Sequence, residues 1–307
     1  MAALENKTIA ITGAGSGIGK AIALACAAEG ANIVVADYGV DLAGAGATSD
    51  VADATVSEIE ATGARAVAVA GDVSSFDTGA AIAAAAVENF GTIDGVVCVA
   101  GILRERMLFK MSEEEFDAVI AVHLKGHFNV YRHAFDVMRK QETGGSIVGI
   151  TSGAFVASTA QANYSAAKGG IISLTRSAGM TALSVKMRGG PAINANCIAP
   201  VARTRMSENV PFEIEMGEPE DIAPMAIHLM SDAGREVNGQ TYTVVGPRIS
   251  VWNQPQEVRT MMAPNGTQWT ADEIAANFDQ VGVEVPSFYD DLERRMTEMA
   301  EQARKES

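Results

Sequence analysis

The sequence predicts an α/β protein whose mostly parallel, doubly wound sheet carries helices on both faces. Short apolar runs rich in β-branched residues alternate with helical segments of about 10–25 residues, a pattern typical of βαβ units. Runs such as VVCVA are apolar without interruption, as expected where both faces of a parallel sheet are covered. All nine prolines lie at or after Pro191, so nothing breaks this alternation in the first 190 residues.

Seven strands and five helices are predicted in the first 250 residues. The strands are residues 8–12, 31–37, 64–72, 93–101, 145–152, 193–200 and 240–246, the last of these being predicted to end the sheet. The helices are residues 20–30, 51–62, 78–91, 112–140 and 162–185. Ser112 and Glu115 form a capping-box pattern at the start of the fourth helix. We therefore expect one domain over residues 1–250.

Residues 251–307 are predicted to be a helical C-terminal extension. Thr270 and Glu273 form a second capping-box pattern. An apolar stripe at helical spacing follows, made of Phe288, Leu292, Met296 and Met299. Because about 60 residues make a marginal core alone, we expect the extension to pack on the domain or on a neighbouring subunit.

Composition and charge exclude several classes of function. The 307 residues are 48% apolar and carry a net charge of −15, which would repel a nucleic-acid backbone. No apolar run reaches the roughly 18 residues that span a bilayer, and Met1–Lys7 lacks the pattern of a secretory signal. The three cysteines lie far apart, which indicates reduced thiols and a cytoplasmic protein. We predict no metal site, no nucleic-acid partner and no membrane partner.

The segment TGAGSGIG (12–19) links the first strand to the first helix. Glycines at 13, 17 and 19 allow a sharp turn and close approach to a pyrophosphate, and a helix N-terminus favours its negative charge. An ordinary tight turn is the alternative, but the strand before it and the helix after it favour dinucleotide binding.

Two aspartates follow neighbouring strands. Asp37 ends the second strand, where its carboxylate could bind the adenosine ribose and repel a 2′-phosphate, which favours NAD over NADP. The alternative for Asp37 is a solvated loop residue. Asp72, after the third strand, could bind the adenine or cap the next helix.

Tyr164 and Lys168 share one helix face because they are four residues apart. An ammonium about 5 Å from a phenol favours phenolate by roughly 3 kcal/mol at an effective dielectric constant of about 20. That energy would lower the phenol pKa by about two units and suit Tyr164 to acid–base chemistry near neutral pH. Such pairs also occur by chance, but Ser152 closes the fifth strand upstream and could hold a substrate oxygen against Tyr164.

Several motifs follow one another in an order that is typical of one family. They are TGAGSGIG, Asp72 after the third strand, GSIVGITS, YSAAK and NCIAP. Over residues 4–246 the chain resembles the short-chain dehydrogenase/reductase family, with its Rossmann-like fold. The resemblance implies that Ser152, Tyr164 and Lys168 are catalytic and that Lys168 also binds the nicotinamide ribose. The residues expected to bind the cofactor are Gly13, Ser16, Gly17, Ile18, Gly19, Asp37, Asp72, Val73, Ala100, Gly101, Tyr164, Lys168, Pro200 and Val201.

A narrower resemblance concerns the substrate. The chain is similar to the dehydrogenase module of multifunctional enzyme type 2 and to related actinobacterial dehydrogenases. The segments that carry this similarity are ADYGVDLAGAG, AGILRERM, VHLKGHF, QANYSAAK and IAPVARTRM. This implies oxidation of a (3R)-hydroxyacyl-CoA, with a homodimer or homotetramer as the active form. Cations for the CoA phosphates could come from Arg104, Arg106, Arg203 and Arg205, and a substrate loop at about 202–225 would contribute Met206 and Phe212. Surface salt bridges are the alternative role for these arginines.

The chain departs from the family pattern at several positions. CVAG replaces the usual NNAG after the fourth strand, and His123 stands where the family places its fourth catalytic residue, an asparagine. His123 could hold a proton-relay water or be a hydrogen-bonded helix residue. Two rival functions remain: a hydroxysteroid or 3-oxoacyl reductase/dehydrogenase of the same family, and an NAD-binding regulator without catalysis. The retained Ser152, Tyr164 and Lys168 argue against the regulator.

Overall fold

A computed structural model describes residues 2–40, 45–156, 158–204, 216–257, 259–263, 266, 268–282, 294 and 297–298. The chain divides into two compact units, Met1–Trp252 and Asn253–Ser307. In the described part of the second unit, α8 (Ala271–Asn277) begins with the predicted Thr270–Glu273 capping box and is followed by α9 (Asp279–Gly282). The apolar stripe predicted at Phe288–Met299 lies outside the described residues.

The first unit contains an eight-stranded sheet in the order β3-β2-β1-β4-β5-β6-β7-β8. Its strands are β1 Thr8–Thr12, β2 Asn32–Asp37, β3 Ala66–Ala70, β4 Gly95–Cys98, β5 Gly145–Ile150, β6 Ile193–Pro200, β7 Thr241–Val245 and β8 Arg248–Val251. All neighbours pair in parallel except β7 and β8. The predicted fold class is confirmed, but β7 is not the last strand, because Gly246 turns the chain back with a φ of 49° and β8 pairs antiparallel to it.

Helices cover both faces of this sheet. They are α1 Gly17–Ala28, α2 Asp50–Glu60, α3 Phe76–Phe90, α4 Glu113–Ile120, α5 Gly126–Met138, α6 Ala162–Met187 and α7 Ala223–Met230. The helix predicted over 112–140 contains a π-helical turn, Ala121–Lys125, between α4 and α5. The sequence-based prediction missed α7, part of which falls in the expected substrate loop.

Alternate residues of the strands belong to two separate apolar cores. Ile9 and Ile11 of β1 pack with α1, α2 and α7 on one face. Ala10, between them, packs with α3, α5 and α6 on the other. The strand order reverses direction between β1 and β4, so the carboxyl ends of these strands open a crevice of the kind that binds dinucleotides.

Candidate active site

The glycine-rich turn crosses the carboxyl end of β1 and leads into α1. Gly13 has a φ of 67°, and a Cβ on Gly19 would lie 2.1 Å from the carbonyl oxygen of Gly13. Alanine at position 19 would therefore push the turn apart. Since α1 begins at Gly17, its first N–H groups point into the crevice, where they can bind an anion.

Asp37 ends β2 beside this turn. Its Oδ2 accepts a hydrogen bond from the Gly15 amide at 2.8 Å, and its Oδ1 accepts one from the Gly39 amide at 2.7 Å. Two main-chain N–H groups therefore fix the carboxylate next to the turn. Asp37 is thus an ordered residue beside the turn that also caps the main chain after it, and its binding of the ribose stays a prediction.

Asp72 and Val73 follow β3. Asp72 Oδ1 accepts a hydrogen bond from the Ser74 amide at 2.8 Å, so the side chain closes an Asx turn and does not cap α3. The carbonyl of Val73 accepts a hydrogen bond from Nδ2 of Asn129, a fully buried residue of α5, at 2.8 Å. These bonds fix the main chain of the expected adenine-binding segment.

The carboxyl end of β4 is tied to β1 and to the π-helical turn. Oγ1 of Thr12 accepts hydrogen bonds from the amides of Val99 at 3.1 Å and Ala100 at 3.2 Å. Thr12 is thus a site residue to which the sequence analysis assigned no role. A Cβ on Gly101 would lie 2.3 Å from Cε1 of His123, so only glycine fits beside that ring.

Ser152 and Tyr164 meet at the carboxyl edge of the sheet. Ser152 follows β5, and its Oγ accepts a hydrogen bond from the Ala154 amide at 3.2 Å. Tyr164 lies in the first turn of α6, partly buried, with the Ser152 side chain close enough to its phenol to lower the phenol pKa. The structure thus brings together the two hydroxyl groups that the sequence analysis paired.

Lys168 lies one helical turn further along α6 and is 2% exposed. Its Nζ is 5.2 Å from the centre of the Tyr164 ring and donates a hydrogen bond to the carbonyl of Ile150 at 2.7 Å. Thr151 donates from Oγ1 to the Lys168 carbonyl at 2.8 Å, which fixes the helix against the end of β5. Lys168 is therefore held below Tyr164, as the sequence spacing predicts.

The predicted direction of the Tyr164 pKa is wrong for the protein as it stands. Burial raises the pKa of Tyr164 to about 12, although the nearby Ser152 side chain acts in the opposite direction. Burial also lowers the pKa of Lys168 to about 7, which weakens it as a fixed positive charge. The cost of removing both groups from water, which spacing along the chain does not reveal, outweighs the Coulomb attraction between them.

His123 lies within the π-helical turn and is 1% exposed. Its ring stands edge-on to Tyr164, with ring centres 5.2 Å apart, and its Nε2 lies 2.8 Å from the carbonyl of Ile102. Burial and the charge of Lys168 hold the His123 pKa well below its usual value, so the ring is neutral. Nδ1 of His123 is buried and has no hydrogen-bond partner among the described residues.

His127, one turn after His123, supports the same π-helical turn. Its Nδ1 lies 2.7 Å from the carbonyl oxygen of His123. Burial lowers the pKa of His127 to about 3, so this ring is neutral too. The sequence analysis did not single out His127, although its spacing of four residues from His123 was visible.

The segment after β6 approaches the glycine-rich turn. The Val201 amide donates to the carbonyl of Val244 at 2.9 Å, which continues the sheet beyond Pro200. A Cβ on Gly17 would lie 3.7 Å from Cγ2 of Thr204, so this segment passes over the start of α1. Two of the expected substrate residues, Met206 and Phe212, lie outside the described residues, as does Arg205.

Three of the expected phosphate-binding arginines have partners within the protein. Arg106 forms an ion pair with Glu115, with Nη2 and Oε1 2.6 Å apart, and its Nε also donates to both carboxylate oxygens. Arg104 donates from Nη1 to the carbonyl of Leu103 at 3.0 Å. Arg203 pairs with Glu218 at 3.2 Å, with both side chains exposed.

A family model described as short chain dehydrogenase matches residues 7–213. The chain belongs to the short-chain dehydrogenase/reductase family. The protein is therefore an oxidoreductase of the kind that uses a nicotinamide cofactor, and the resemblance stated from its motifs is confirmed. Among the described residues, no helix is both long enough and apolar enough to cross a membrane.

Relatives with assigned names include hydroxyacyl-CoA dehydrogenase ChsB1 of Mycobacterium tuberculosis, which is 40% identical over 289 residues, or 89% of this chain and 87% of the relative. Peroxisomal multifunctional enzyme type 2 of Mus musculus is 35% identical over 279 residues, or 90% of this chain but 37% of that longer protein. The crystal structure of a short-chain dehydrogenase from Mycobacterium avium has a TM-score of 0.79 and 39% identity, and the match covers 92% of this chain and 97% of the other.

The described residues fit a dinucleotide. A turn that excludes a side chain at Gly19, a helix N-terminus in the crevice and an ordered carboxylate at Asp37 lie on one side of the crevice. Ser152 lies at the carboxyl end of β5, and Tyr164 and Lys168 lie in the first two turns of α6. The crevice where the strand order reverses, between β1 and β4, lies between the two groups of residues, and a dinucleotide crosses a doubly wound sheet at such a place.

Proposed function

We propose that the protein oxidises the secondary alcohol of a hydroxyacyl-CoA to a ketone with NAD⁺. The main support for this proposal is that Ser152, Tyr164 and Lys168 lie close together at the carboxyl ends of the parallel strands. The glycine-rich turn lies on the same side of the sheet. The Ser152 side chain lies close to the Tyr164 phenol and lowers its pKa, and Lys168 Nζ lies 5.2 Å from the centre of the Tyr164 ring. A regulator that only binds the dinucleotide has no need of this arrangement.

In this proposal five segments of the chain hold the cofactor. The helix N-terminus at Ser16–Gly19 binds the pyrophosphate, and Asp37 binds the adenosine ribose. The main chain near Asp72, Val73, Ala100 and Gly101, together with Pro200 and Val201, lines the rest of the crevice. When bound, NAD⁺ accepts the hydride and adds the positive charge of its nicotinamide ring.

The chain's own residues handle the proton. The Ser152 hydroxyl holds the substrate oxygen beside Tyr164. Tyr164 first loses its own proton to solvent, and its phenolate oxygen then accepts the proton of the alcohol. Since burial raises the Tyr164 pKa to about 12, the phenol needs positive charge nearby before it can act as a base. Lys168 contributes to that charge, and His123 holds the Tyr164 ring edge-on.

Asp37 supports the choice of NAD over NADP. Its carboxylate is fixed by Gly15 and Gly39, so it cannot turn away from a 2′-phosphate. The residues that directly follow it, Tyr38, Gly39 and Val40, bring no positive charge. A fixed negative charge without a neighbouring cation discriminates against the phosphorylated cofactor.

The names of two relatives support a CoA thioester as the substrate. One relative is a hydroxyacyl-CoA dehydrogenase, and the other is a multifunctional enzyme to whose dehydrogenase module the motifs of this chain are similar. Arg104, Met206 and Phe212 remain the proposed substrate contacts. Arg106 would have to leave its ion pair with Glu115 to bind a phosphate.

The proposal includes a homodimer or homotetramer in the cytoplasm. Apolar side chains are exposed on the outer faces of α5 and α6, namely Phe128, Met180, Leu183 and Met187. Exposed apolar patches of this kind support association with another copy. The three cysteines are free and buried, which fits a reducing compartment.

A substrate panel tests the proposal. NADH formation is measured with (3R)-hydroxyacyl-CoAs, their (3S) isomers and free hydroxysteroids, each with NAD⁺ and with NADP⁺. We expect the highest kcat/KM for a (3R)-hydroxyacyl-CoA with NAD⁺. Turnover of free hydroxysteroids alone would contradict the thioester assignment, and binding of NADH without turnover of any substrate would favour the regulator.

A further inference from the structure

Asn163, the residue directly before Tyr164, is 1% exposed and joins three elements of the fold. Its Oδ1 accepts a hydrogen bond from the Tyr164 amide at 2.8 Å. Its Nδ2 donates to the carbonyls of Arg104 at 2.9 Å and Glu115 at 3.0 Å. The partners fix the orientation of the amide group, because two carbonyls require the NH₂ end and a main-chain N–H requires the oxygen.

The bond to Tyr164 satisfies one of the amides that a helix start leaves without an internal partner. Gln161 is the N-cap of α6, so the Tyr164 amide belongs to the first turn. The two donated bonds tie this turn to the segment after β4 and to the first turn of α4. The Asn163 side chain therefore links the Tyr164 amide to the main chain at Arg104 and at Glu115.

The residues directly before α6 are also hydrogen-bonded to the segment after β4. The Arg106 amide donates to the carbonyl of Ala160 at 2.7 Å, and the side chains of Gln161 and Glu105 are hydrogen-bonded. Ala160 has a φ of 60°, a left-handed conformation that is unfavourable for a residue with a Cβ. Such a conformation persists where several contacts enforce it.

We propose that Asn163 is a positioning residue, which sets the place of the Tyr164 hydroxyl relative to Ser152 and the substrate oxygen. The inference rests on the proposed function, in which Tyr164 moves the proton. Proton transfer needs heavy atoms at hydrogen-bonding distance, so a small shift of the first turn of α6 would lower the rate without removing any group that touches the substrate.

The test compares Asn163→Ala with a matched change at Asn196. Asn196 is fully buried in β6, donates to the carbonyl of Val237 at 2.8 Å and accepts from the Gln240 amide at 3.0 Å. Both changes remove a buried amide that bridges two segments, so both should lower the melting temperature. Only Asn163 holds the main chain of Tyr164.

For Asn163→Ala we expect kcat to fall by about 10–100-fold, because a displacement of the order of 1 Å costs about that much. Affinity for NADH, measured by fluorescence titration, should stay within about twofold, since Asn163 does not line the glycine-rich turn. Asn196→Ala should keep kcat within about twofold despite its lower melting temperature. The assay uses the (3R)-hydroxyacyl-CoA with the highest rate in the panel.

A second variant, Asn163→Asp, separates the two ends of the amide. It keeps an acceptor for the Tyr164 amide but turns a carboxylate towards the carbonyls of Arg104 and Glu115. Once protonated, that carboxyl can donate to one of the two carbonyls. The ratio of its kcat to that of the unmodified protein should therefore rise as the pH falls, which a loss of stability alone does not predict.

The outcomes separate this inference from the proposed function. If Asn163→Ala lowers the melting temperature but keeps the kcat and pH profile of the unmodified protein, Asn163 is a structural anchor only and the inference is wrong. Tyr164→Phe is measured in the same assay. Full turnover by Tyr164→Phe would overturn the proposed function itself, whatever the result at Asn163.

Discussion

Lys168 donates its hydrogen bond to the carbonyl of Ile150 at 2.7 Å, while its Nζ lies 5.2 Å from the centre of the Tyr164 ring. The amine is thus anchored to the end of β5 and acts on the phenol through space. Burial lowers the Lys168 pKa to about 7 and raises the Tyr164 pKa to about 12. Both groups are held in their neutral forms more strongly than in water, so the site is sensitive to any charge placed beside it.

The first prediction concerns stability and pH. Unfolded Lys168 keeps its proton up to its ordinary pKa of 10.5, but the folded residue loses it near pH 7. Between these values the unfolded state binds more protons, so this group makes the protein more stable as the pH rises. Lys168→Met lacks this rise in stability with pH. The free energy of unfolding of Lys168→Met minus that of the unmodified protein should therefore fall as the pH rises, by up to about 1.4 kcal/mol per pH unit.

Urea titrations at several pH values from about 7 to 9.5 measure this difference, at one protein concentration and in the absence of NAD⁺. A difference that stays constant over the range would contradict the buried, weakly basic Lys168.

The second prediction concerns cofactor choice. Asp37→Asn removes the charge that we propose binds the adenosine ribose, and it disrupts one of the two hydrogen bonds from Gly15 and Gly39. The ratio of kcat/KM with NAD⁺ to that with NADP⁺ should fall by at least about tenfold, equivalent to about 1.4 kcal/mol. Asp53→Asn, an exposed change in α2, is the control. If the ratio of kcat/KM with NAD⁺ to that with NADP⁺ is unchanged in Asp37→Asn, Asp37 does not discriminate between the two cofactors.

The third prediction concerns the glycine-rich turn. Gly19→Ala places a Cβ 2.1 Å from the carbonyl oxygen of Gly13, so the turn must open. The affinity for NADH should fall by at least about tenfold, in line with an overpacking cost of about 1–3 kcal/mol. Gly169→Ala in α6 is the matched control, since its Cβ would meet nothing within 4 Å. Fluorescence titration with NADH measures both, and full affinity in Gly19→Ala would be inconsistent with pyrophosphate binding at this turn.

The fourth prediction concerns the contact between Gly101 and His123. Gly101→Ala would bring a Cβ within 2.3 Å of the His123 ring, which packs edge-on against Tyr164. The change should cost about 1–3 kcal/mol in the free energy of unfolding. In a His123→Ala background the same change should cost at least about 1 kcal/mol less, because the clash is gone. Equal costs in the two backgrounds would rule out this contact as the reason for glycine at 101.

Much of the fold followed from periodicity. The predicted bounds of β1 and β6 agree with the structure, because each strand meets a turn residue at its end, Gly13 after β1 and Pro200 at the end of β6. The strand β8 was missed because it follows β7 after only Gly246 and Pro247, a pair that reads as the end of a sheet. The helix α7 was missed because its residues are apolar on most sides and show no clear helical period.

The candidate site was predictable where its chemistry lies in local spacing. Tyr164 and Lys168 share a helix face, and the glycines of the first turn follow a strand. The role inferred here for Asn163 was not predictable, because its partners are main-chain carbonyls that only the fold brings near. The pKa of Tyr164 is raised and not lowered as predicted, because the spacing of residues reveals a neighbouring charge but not the depth of burial.

The most direct test of the proposed mechanism is the turnover of Tyr164→Phe, which removes the hydroxyl and keeps the ring that packs on His123. NADH formation is followed with the best (3R)-hydroxyacyl-CoA, and NADH affinity is measured on the same preparation. We predict that kcat falls by about 10²–10⁴-fold, the usual contribution of a positioned acid–base group, while NADH affinity is retained. Turnover equal to that of the unmodified protein would contradict the assignment of Tyr164 as the residue that moves the proton.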